Sequence, residues 1–257
     1  MKNTLQAKLI YRFYHSAVKA ELKRRGFSKN TVKKIEKEHK LIVERAKDIG
    51  KSNLLSSYIM GSYFIALNRS TGKSAEENYE IFRDGLYASK LFHKIMGDAD
   101  SYLDPKRMPA RLKWSEDSHK RKYENDWVVD ILPGNESYDL GYDYHECGIC
   151  KLCQDEGCPD LAAYLCRMDY VLADIMHMKL VRTGTIAEGA ALCDFRYSKP
   201  RDEENSCPSG QLLRFLYNIQ MKTNPTDGFY HDTISHHMYL SKMAYSHSES
   251  QLPVKLN

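Results

Sequence analysis

The stretch LLSSYIMGSYFIAL, residues 54–67, decides the fold class that we expect for this chain. A helix formed here would be apolar on nearly every side, which is typical of a helix in the middle of a bundle. Its 14 residues are too few for a transmembrane helix, which needs about 20 apolar residues. The stretch therefore predicts a buried central helix, and we expect no membrane partner.

Boundaries of further helices are marked on both sides of this stretch. Two amphipathic helices precede it, and each is predicted to end at a glycine: residues 5–25 before Gly26 and residues 31–49 before Gly50. Polar residues able to cap a helix N-terminus stand at three starts, namely Ser28, Asn53 and Ser74. Because Glu77 follows Ser74 by three positions, this pair has the spacing of a capping box. We therefore expect a helical region over residues 1–96.

The periodicity changes to that of strands after residue 126. Residues 97–126 hold a glycine, two prolines and a run of charges, so we expect an irregular linker or lid there. Four later segments carry the alternation or the side chains of strands: 127–132, 138–144, 179–185 and 190–197. Pro159 suits the first turn of a helix that reaches about Met176.

These segments together predict an α+β protein. We expect the helical N-terminal half to pack on an antiparallel-sheet domain with an inserted helix, and this α+β core spans residues 127–200. Residues 201–257 are expected to form a C-terminal helical extension and tail. The apolar helical half offers surface for a homodimer.

Composition and charge exclude several classes of protein. Apolar residues make up 42% and charged residues 28%, which is typical of a globular protein and excludes wholesale disorder. Residues 1–51 hold 15 Lys and Arg against 5 Asp and Glu, but Leu, Ile and Val are interleaved with these charges. No nucleic-acid motif accompanies them, so we interpret them as solvated helix faces and expect no nucleic-acid partner. Arg12 interrupts the apolar run that a secretory signal would need.

The cysteines point to a reducing compartment. There are seven, an odd number, and six lie between Cys147 and Cys193. A secreted disulfide framework would be small and even in count, so we expect free thiols and a cytoplasmic location.

One run of cysteines resembles a metal site: Cys147, Cys150, Cys153 and Cys158, followed by Pro159. A ferredoxin run has three residues before its last cysteine, whereas this run has four, and zinc would need a second matching pair. Three interpretations stay open. The run forms an iron–sulfur or zinc site, packs as small buried residues at a strand–helix junction, or places Cys147 at the edge of an active site.

The most specific pattern lies between Cys147 and Tyr197. Nine positions form it: Cys147, Gly157, Cys166, Asp169, Thr185, Gly189, Cys193, Asp194 and Phe195. In order and spacing they resemble the L-2-amino-thiazoline-4-carboxylic acid hydrolase family, over about residues 127–197. The resemblance implies hydrolysis of a cyclic C=N bond, without cofactor or metal, and in the namesake reaction water opens a 2-amino-thiazoline ring to an N-carbamoyl amino acid. The extra cysteines depart from the pattern and leave the substrate open.

Three residues are catalytic candidates under this resemblance. A thiolate is a good nucleophile for an amidine carbon, and Cys193 is the expected nucleophile. On a regular strand Cys193 shares a face with Phe195, whereas Asp194 points to the other face. Asp169, on the preceding helix, is therefore the better group to bind or protonate the leaving nitrogen. Cys166 lies one turn before Asp169 on the same helix face.

The substrate-binding candidates are Arg182, Arg167, Thr185 and Cys147. Either arginine could bind a substrate carboxylate through two parallel hydrogen bonds. We therefore expect a cysteine-dependent hydrolase whose partner is a small cyclic molecule. The alternatives are an iron–sulfur or zinc protein built on residues 147–158, a related ring-forming or alkyl-transferring enzyme, and a non-catalytic small-molecule-binding module.

Overall fold

The computed structural model describes residues 4–200, in which helices fill the first half and a four-stranded antiparallel sheet follows. The α-helices are α1 (Leu5–Arg24), α2 (Lys29–Arg45), α3 (Leu55–Thr71), α4 (Ala75–Ala88), α5 (Lys90–Met96), α6 (Ala99–Tyr102), α7 (Met108–Ser118), α8 (Gly148–Asp155) and α9 (Leu161–Ile175). The strands are β1 (Val128–Pro133), β2 (Leu140–Glu146), β3 (Lys179–Val181) and β4 (Cys193–Ser198). The predicted α+β class is confirmed. The extension expected over 201–257 lies outside the described residues.

Helix α3 is the centre of the bundle, as its apolar sequence predicts. Every residue from Tyr58 to Leu67 is buried. Helices α1, α2, α4, α8 and α9 all pack against it. A helix with no polar face needs neighbours on all sides, and this need explains why two helices from the second half of the chain join the bundle.

Two of the three predicted helix caps are confirmed. Ser28 accepts a hydrogen bond from the backbone N–H of Thr31, and Ser74 and Glu77 form a complete capping box at the start of α4. The cap expected at Asn53 is wrong, because α3 begins one residue later and has no side-chain cap. Instead the hydroxyl of Ser52 accepts the backbone N–H of Leu54 at 3.1 Å.

Residues 97–126 are not as irregular as expected. They include α6 and α7, and Pro109 lies in the first turn of α7, where a proline costs no hydrogen bond. Helix α7 packs against β1, where Ser118 Oγ accepts the backbone N–H of Val129 at 3.0 Å. Lys113, Glu116 and Asp117 of α7 are exposed, and these charges hide the periodicity of the helix in the sequence.

The sheet has the strand order β1-β2-β4-β3, with every neighbouring pair antiparallel. Two helices, α8 and α9, are inserted between β2 and β3, where the sequence indicated one. The register places Tyr144 of β2 opposite Cys193 of β4 and Asp143 opposite Asp194. Because side chains alternate along a strand, Tyr144 and Cys193 lie on one face of the sheet and the two aspartates on the other.

The buried residues form two clusters, one inside the bundle and one between the sheet and the segments that cover it. Tyr144 and Met96 contact both clusters, so these residues mark where the bundle and the sheet meet. No helix among residues 4–200 is long and apolar enough to cross a membrane.

Candidate active site

A cavity of about 240 Å³ lies where the bundle meets one face of the sheet. Its walls come from helices α1, α3, α5, α6, α8 and α9 and from strands β2 and β4. Most of the lining side chains are apolar or aromatic, and a few polar groups point among them. This combination is the usual form of a small-molecule site.

Four of the seven candidate catalytic and substrate-binding residues line this cavity: Cys147, Cys166, Asp169 and Cys193. Cys147 precedes α8, Cys166 and Asp169 lie one turn apart on α9, and Cys193 begins β4. The fold thus brings three thiols and one carboxyl group to the same space.

Asp169 is held by Arg182, which follows β3. Arg182 Nη1 lies 3.2 Å from Asp169 Oδ2, and both terminal nitrogens of Arg182 donate to the carbonyl of Cys166, each at 3.2 Å. Burial raises the pKa of Asp169 to about 7, although the charge of Arg182 acts in the opposite direction. The carboxyl side chain is 28% exposed even though protein surrounds it, because it faces the cavity.

Cys193 is almost enclosed, with 3% of its surface exposed. The backbone N–H of Ile186 donates to its Sγ at 3.2 Å. Burial raises the pKa of the Cys193 thiol to about 11, and the N–H of Ile186 offsets part of this rise.

Thr185 does not line the cavity. It is fully buried, and its hydroxyl donates to Glu188 Oε2 at 2.6 Å across the short 3₁₀ turn Ile186–Glu188. Thr185 therefore holds the turn whose first N–H contacts Cys193.

Cys147 occupies the N-cap position of α8, where the positive end of the helix dipole lies. The thiol of Cys150 lowers the pKa of Cys147 most, and the N–H groups of Cys150 and Ile149 add to this effect against the opposing effect of burial. These N–H groups make no capping hydrogen bond with the sulfur, so they act on it as dipoles. Of the three thiols in the cavity, Cys147 is the one whose pKa is lowered; burial raises that of Cys166.

Glycine at position 148 allows α8 to start at this place. A Cβ atom on Gly148 would lie 2.7 Å from the carbonyl oxygen of Asn125 and equally close to the ring of Trp127. Only a residue without a side chain lets the helix begin against that backbone, and this contact fixes the position of Cys147.

The side chain of Arg167 lies against α4. Its guanidinium donates to both carboxylate oxygens of Glu76, at 2.6 and 2.8 Å, and lies 4.0 Å from the centre of the Tyr79 ring. Both partners belong to α4, and Arg167 does not line the cavity. It sits one position beyond Cys166 on α9, and this step of about 100° turns it away from the cavity toward the neighbouring helix.

Most of the remaining residues of the cavity wall carry no local signal in the sequence. The aromatic residues there include Tyr102, Tyr144 and Tyr197, and the methionines are Met60, Met96, Met176 and Met178. The alternation along β2 and β4 contained a signal for Tyr144 and Tyr197. Tyr102 lies in a segment that looked irregular, so only the tertiary fold reveals it.

The remaining cysteines of the run lie outside the cavity lining. Cys153 is buried in the bundle core, and Cys150 and Cys158 pack partly buried against it. Within residues 4–200 no group of three or more His, Cys, Asp or Glu side chains is arranged to hold a metal ion.

Comparisons with known proteins add one match. No curated protein and no solved structure matches the chain. A family model described as L-2-amino-thiazoline-4-carboxylic acid hydrolase matches residues 52–197, from the residues just before α3 into the last strand. This match covers more than half of the 257 residues and every helix and strand that lines the cavity except α1. The chain therefore belongs to the L-2-amino-thiazoline-4-carboxylic acid hydrolase family.

Proposed function

We propose that this protein hydrolyses a small cyclic amidine through a covalent intermediate on a cysteine. One observation carries the proposal: a thiol with a lowered pKa, Cys147, and a carboxyl group that titrates near neutral pH, Asp169, line the same cavity. Membership of the family supports hydrolysis as the type of reaction.

Cys147 is the nucleophile in this proposal, in place of the Cys193 expected from the sequence. A thiolate attacks carbon far faster than a thiol does, and helix N-termini favour thiolates. The surroundings of Cys147 lower its pKa, whereas burial raises the pKa values of Cys193 and Cys166. Cys193, which begins β4 opposite Tyr144, then shapes the wall against which the substrate ring lies.

Asp169 is the acid and base. A group that titrates near the working pH can both give and take a proton, and its pKa of about 7 meets this requirement. Arg182 is a positioning residue, because it holds one carboxylate oxygen of Asp169 and leaves Oδ1 without a hydrogen-bond partner among residues 4–200. Asp169 lines the cavity, and in this proposal its Oδ1 accepts a substrate N–H.

The proposed reaction has two stages. The Cys147 sulfur forms a bond to the amidine carbon, the electron pair of the C=N bond moves to nitrogen, and Asp169 supplies the proton that this nitrogen takes. The nitrogen electron pair then re-forms the C=N bond as the bond between that carbon and the ring heteroatom breaks, and the nitrogen returns its proton to Asp169, which passes it to the leaving heteroatom. Water adds to the carbon with Asp169 as base, and the Cys147 thiolate leaves, so the product is a urea-type carbonyl compound.

The test is ring opening of 2-amino-2-thiazoline compounds by the full-length chain, followed by mass spectrometry. We expect Cys147→Ser to lose at least about 10³-fold in turnover, because a hydroxyl has no accessible anion near pH 7. Asp169→Asn should lose roughly 10²–10⁴-fold. Cys158→Ser is the matched control, since Cys158 lies outside the cavity, and it should keep normal turnover. Loss of activity in Cys193→Ser with normal activity in Cys147→Ser would return the nucleophile to Cys193.

A further inference from the structure

Cys147 has a second thiol beside it, that of Cys150, which takes no part in the reaction proposed above. Cys147 is the N-cap residue of α8, and its carbonyl accepts the backbone N–H of Lys151 at 3.1 Å, so residues 147–151 form the first turn of this helix. Cα atoms three positions apart on a helical turn are separated by about 5 Å. This separation falls within the range of about 4.4–6.8 Å that is usual for a disulfide.

The two side chains are already in contact. The Cys150 thiol donates a hydrogen bond to the Cys147 sulfur, and this bond is the main cause of the lowered pKa of Cys147. The same hydrogen bond, together with burial, raises the pKa of Cys150. One sulfur of the pair therefore favours the thiolate, and the other keeps its proton. Thiol oxidation needs this asymmetry, because the thiolate is the form that reacts with an oxidant.

The two sulfur atoms also differ in access. Cys147 lines the cavity, whose volume is about 240 Å³, whereas Cys150 packs partly buried against the bundle core outside the lining. Hydrogen peroxide is little larger than a water molecule, which occupies about 30 Å³ in the liquid, so the cavity can admit it. Such an oxidant meets Cys147 first, and Cys150 lies within reach of the product that forms there.

We propose that Cys147 and Cys150 are a site of reversible disulfide formation, which switches off turnover in the presence of a peroxide. This inference rests on the function proposed above, in which Cys147 is the nucleophile. The six cysteines within residues 4–200 are free thiols in this structure, so the structure shows the reduced state of the pair.

The oxidation takes two steps. The Cys147 thiolate attacks one oxygen of hydrogen peroxide, the O–O bond breaks, and the hydroxide that leaves takes up a proton, so that water and a sulfenic acid on Cys147 result. The Cys150 sulfur then attacks the Cys147 sulfur, the S–O bond breaks, and the leaving hydroxide takes the Cys150 proton to form a second water. Two thiols are oxidised and one peroxide is reduced. A dithiol such as dithiothreitol reverses the change by thiol–disulfide exchange.

The disulfide has two consequences for Cys147. It removes the thiolate that begins the proposed hydrolysis, so turnover stops. It also protects the sulfur, because a sulfenic acid that finds no thiol is oxidised further to a sulfinic acid, which dithiols do not reduce. Cys150 thus turns a permanent loss of the nucleophile into a reversible one.

The experiment treats the full-length chain with hydrogen peroxide, blocks the remaining thiols with N-ethylmaleimide and analyses tryptic peptides by mass spectrometry. Trypsin separates the pair from the other cysteines, since Cys147 and Cys150 share peptide 123–151 and the next cysteine follows the cut after Lys151. We expect this peptide to become lighter by two hydrogens and to bind no maleimide until dithiothreitol is added. Turnover of 2-amino-2-thiazoline should fall at least about tenfold with peroxide and return to within about twofold with dithiothreitol.

Cys150→Ser removes the second thiol and keeps a hydroxyl in its place. After peroxide, peptide 123–151 of this variant should gain two oxygens, and dithiothreitol should restore less than about a tenth of the turnover that the same variant has before treatment. Cys158→Ser is the matched control, because Cys158 lies on the same run of cysteines but outside the cavity lining. It should form and lose the disulfide as the wild type does.

The outcomes separate the two proposals. A reversible disulfide within peptide 123–151 of a protein that opens no thiazoline ring would contradict the proposed hydrolysis and support the disulfide site. Turnover that depends on Cys147, together with only sulfinic acid on Cys147 after peroxide or a link from Cys147 to another peptide, would overturn the disulfide site and support the hydrolysis. Absence of both the disulfide and turnover would overturn both.

Discussion

The thiols of Cys147 and Cys193 line one cavity but differ in what surrounds their sulfur atoms. The Cys150 thiol, and after it the N–H groups at the start of α8, lower the pKa of Cys147, whereas burial raises that of Cys193 to about 11. We expect iodoacetamide to alkylate Cys147 well before Cys193 near pH 7, since the thiolate is the reacting form. Peptide mass spectrometry over time measures both rates.

Cys158 is an internal control for this prediction. Its pKa is also lowered, by the Cys153 thiol against the effect of burial, but it lies outside the cavity lining. Both Cys147 and Cys158 should therefore react early, and 2-amino-2-thiazoline should slow the labelling of Cys147 alone. First labelling at Cys193, or equal protection of Cys147 and Cys158, would contradict the assignment.

Asp169 makes stability depend on pH. Its folded pKa of about 7 exceeds the value near 3.9 of an unfolded chain, so between about pH 4 and 7 the folded state binds more protons. The free energy of unfolding should therefore fall as pH rises through this window, by up to about 1.4 kcal/mol per pH unit. Asp169→Asn should lack this contribution.

Urea unfolding of both proteins at about pH 4, 5.5, 7 and 8 measures the effect as a difference between wild type and variant. The difference should shrink or reverse in sign from about pH 4 to 7 and then level off. A difference that stays constant over this range would show that Asp169 titrates normally.

At the scale of helices and strands, features set by residues close in sequence could be predicted, whereas contacts between distant residues could not. The caps at Ser28 and Ser74 depend on residues within one turn of each other, so both can be recognised in the sequence alone. The α+β class and the alternation around Cys193 follow in the same way. The partner of Arg167, Glu76, is 91 positions away, and the start of α8 depends on Asn125 and Trp127. No local pattern contains such contacts.

The close packing of α4 against α1 depends on Gly85. Alanine in a helix interior usually stabilises relative to glycine, by about 1 kcal/mol. At Gly85, however, a Cβ atom would lie 3.0 Å from Val18 Cα and 3.1 Å from the carbonyl oxygen of Ala17, both backbone atoms of α1. The two helices would have to separate, so we expect Gly85→Ala to destabilise the protein by about 2 kcal/mol in urea unfolding.

Gly61→Ala on α3 is the matched variant. There the nearest atom to a new Cβ is Ile149 Cδ1 at 2.8 Å, the tip of a flexible side chain that can move. We expect a loss smaller than about 1 kcal/mol, because the helix propensity of alanine offsets part of the strain. A Gly85→Ala protein as stable as the wild type would show that α1 and α4 can move apart freely.

On the scale of the whole molecule, the walls of the cavity come from both the bundle and the sheet, so a bound ligand should stabilise both. With Cys147→Ser to prevent turnover, 2-amino-2-thiazoline at about 100 times its Kd should raise the free energy of unfolding by about 2.7 kcal/mol. Hydrogen exchange followed by mass spectrometry should slow in α3 and in β4 together, because both line the cavity. Protection of one wall alone would place the ligand elsewhere.

The all-round burial of α3 also has a consequence for how the chain is made. Ile149, Leu152 and Leu165, which pack around Gly61, are synthesised some 80 to 100 residues after α3 itself. At about 5–20 residues per second, the ribosome needs roughly 5–20 s to deliver them. During that interval α1, α2 and α4 are the helices of residues 4–200 that can cover α3, and its remaining apolar side is a surface that a chaperone would bind on the nascent chain.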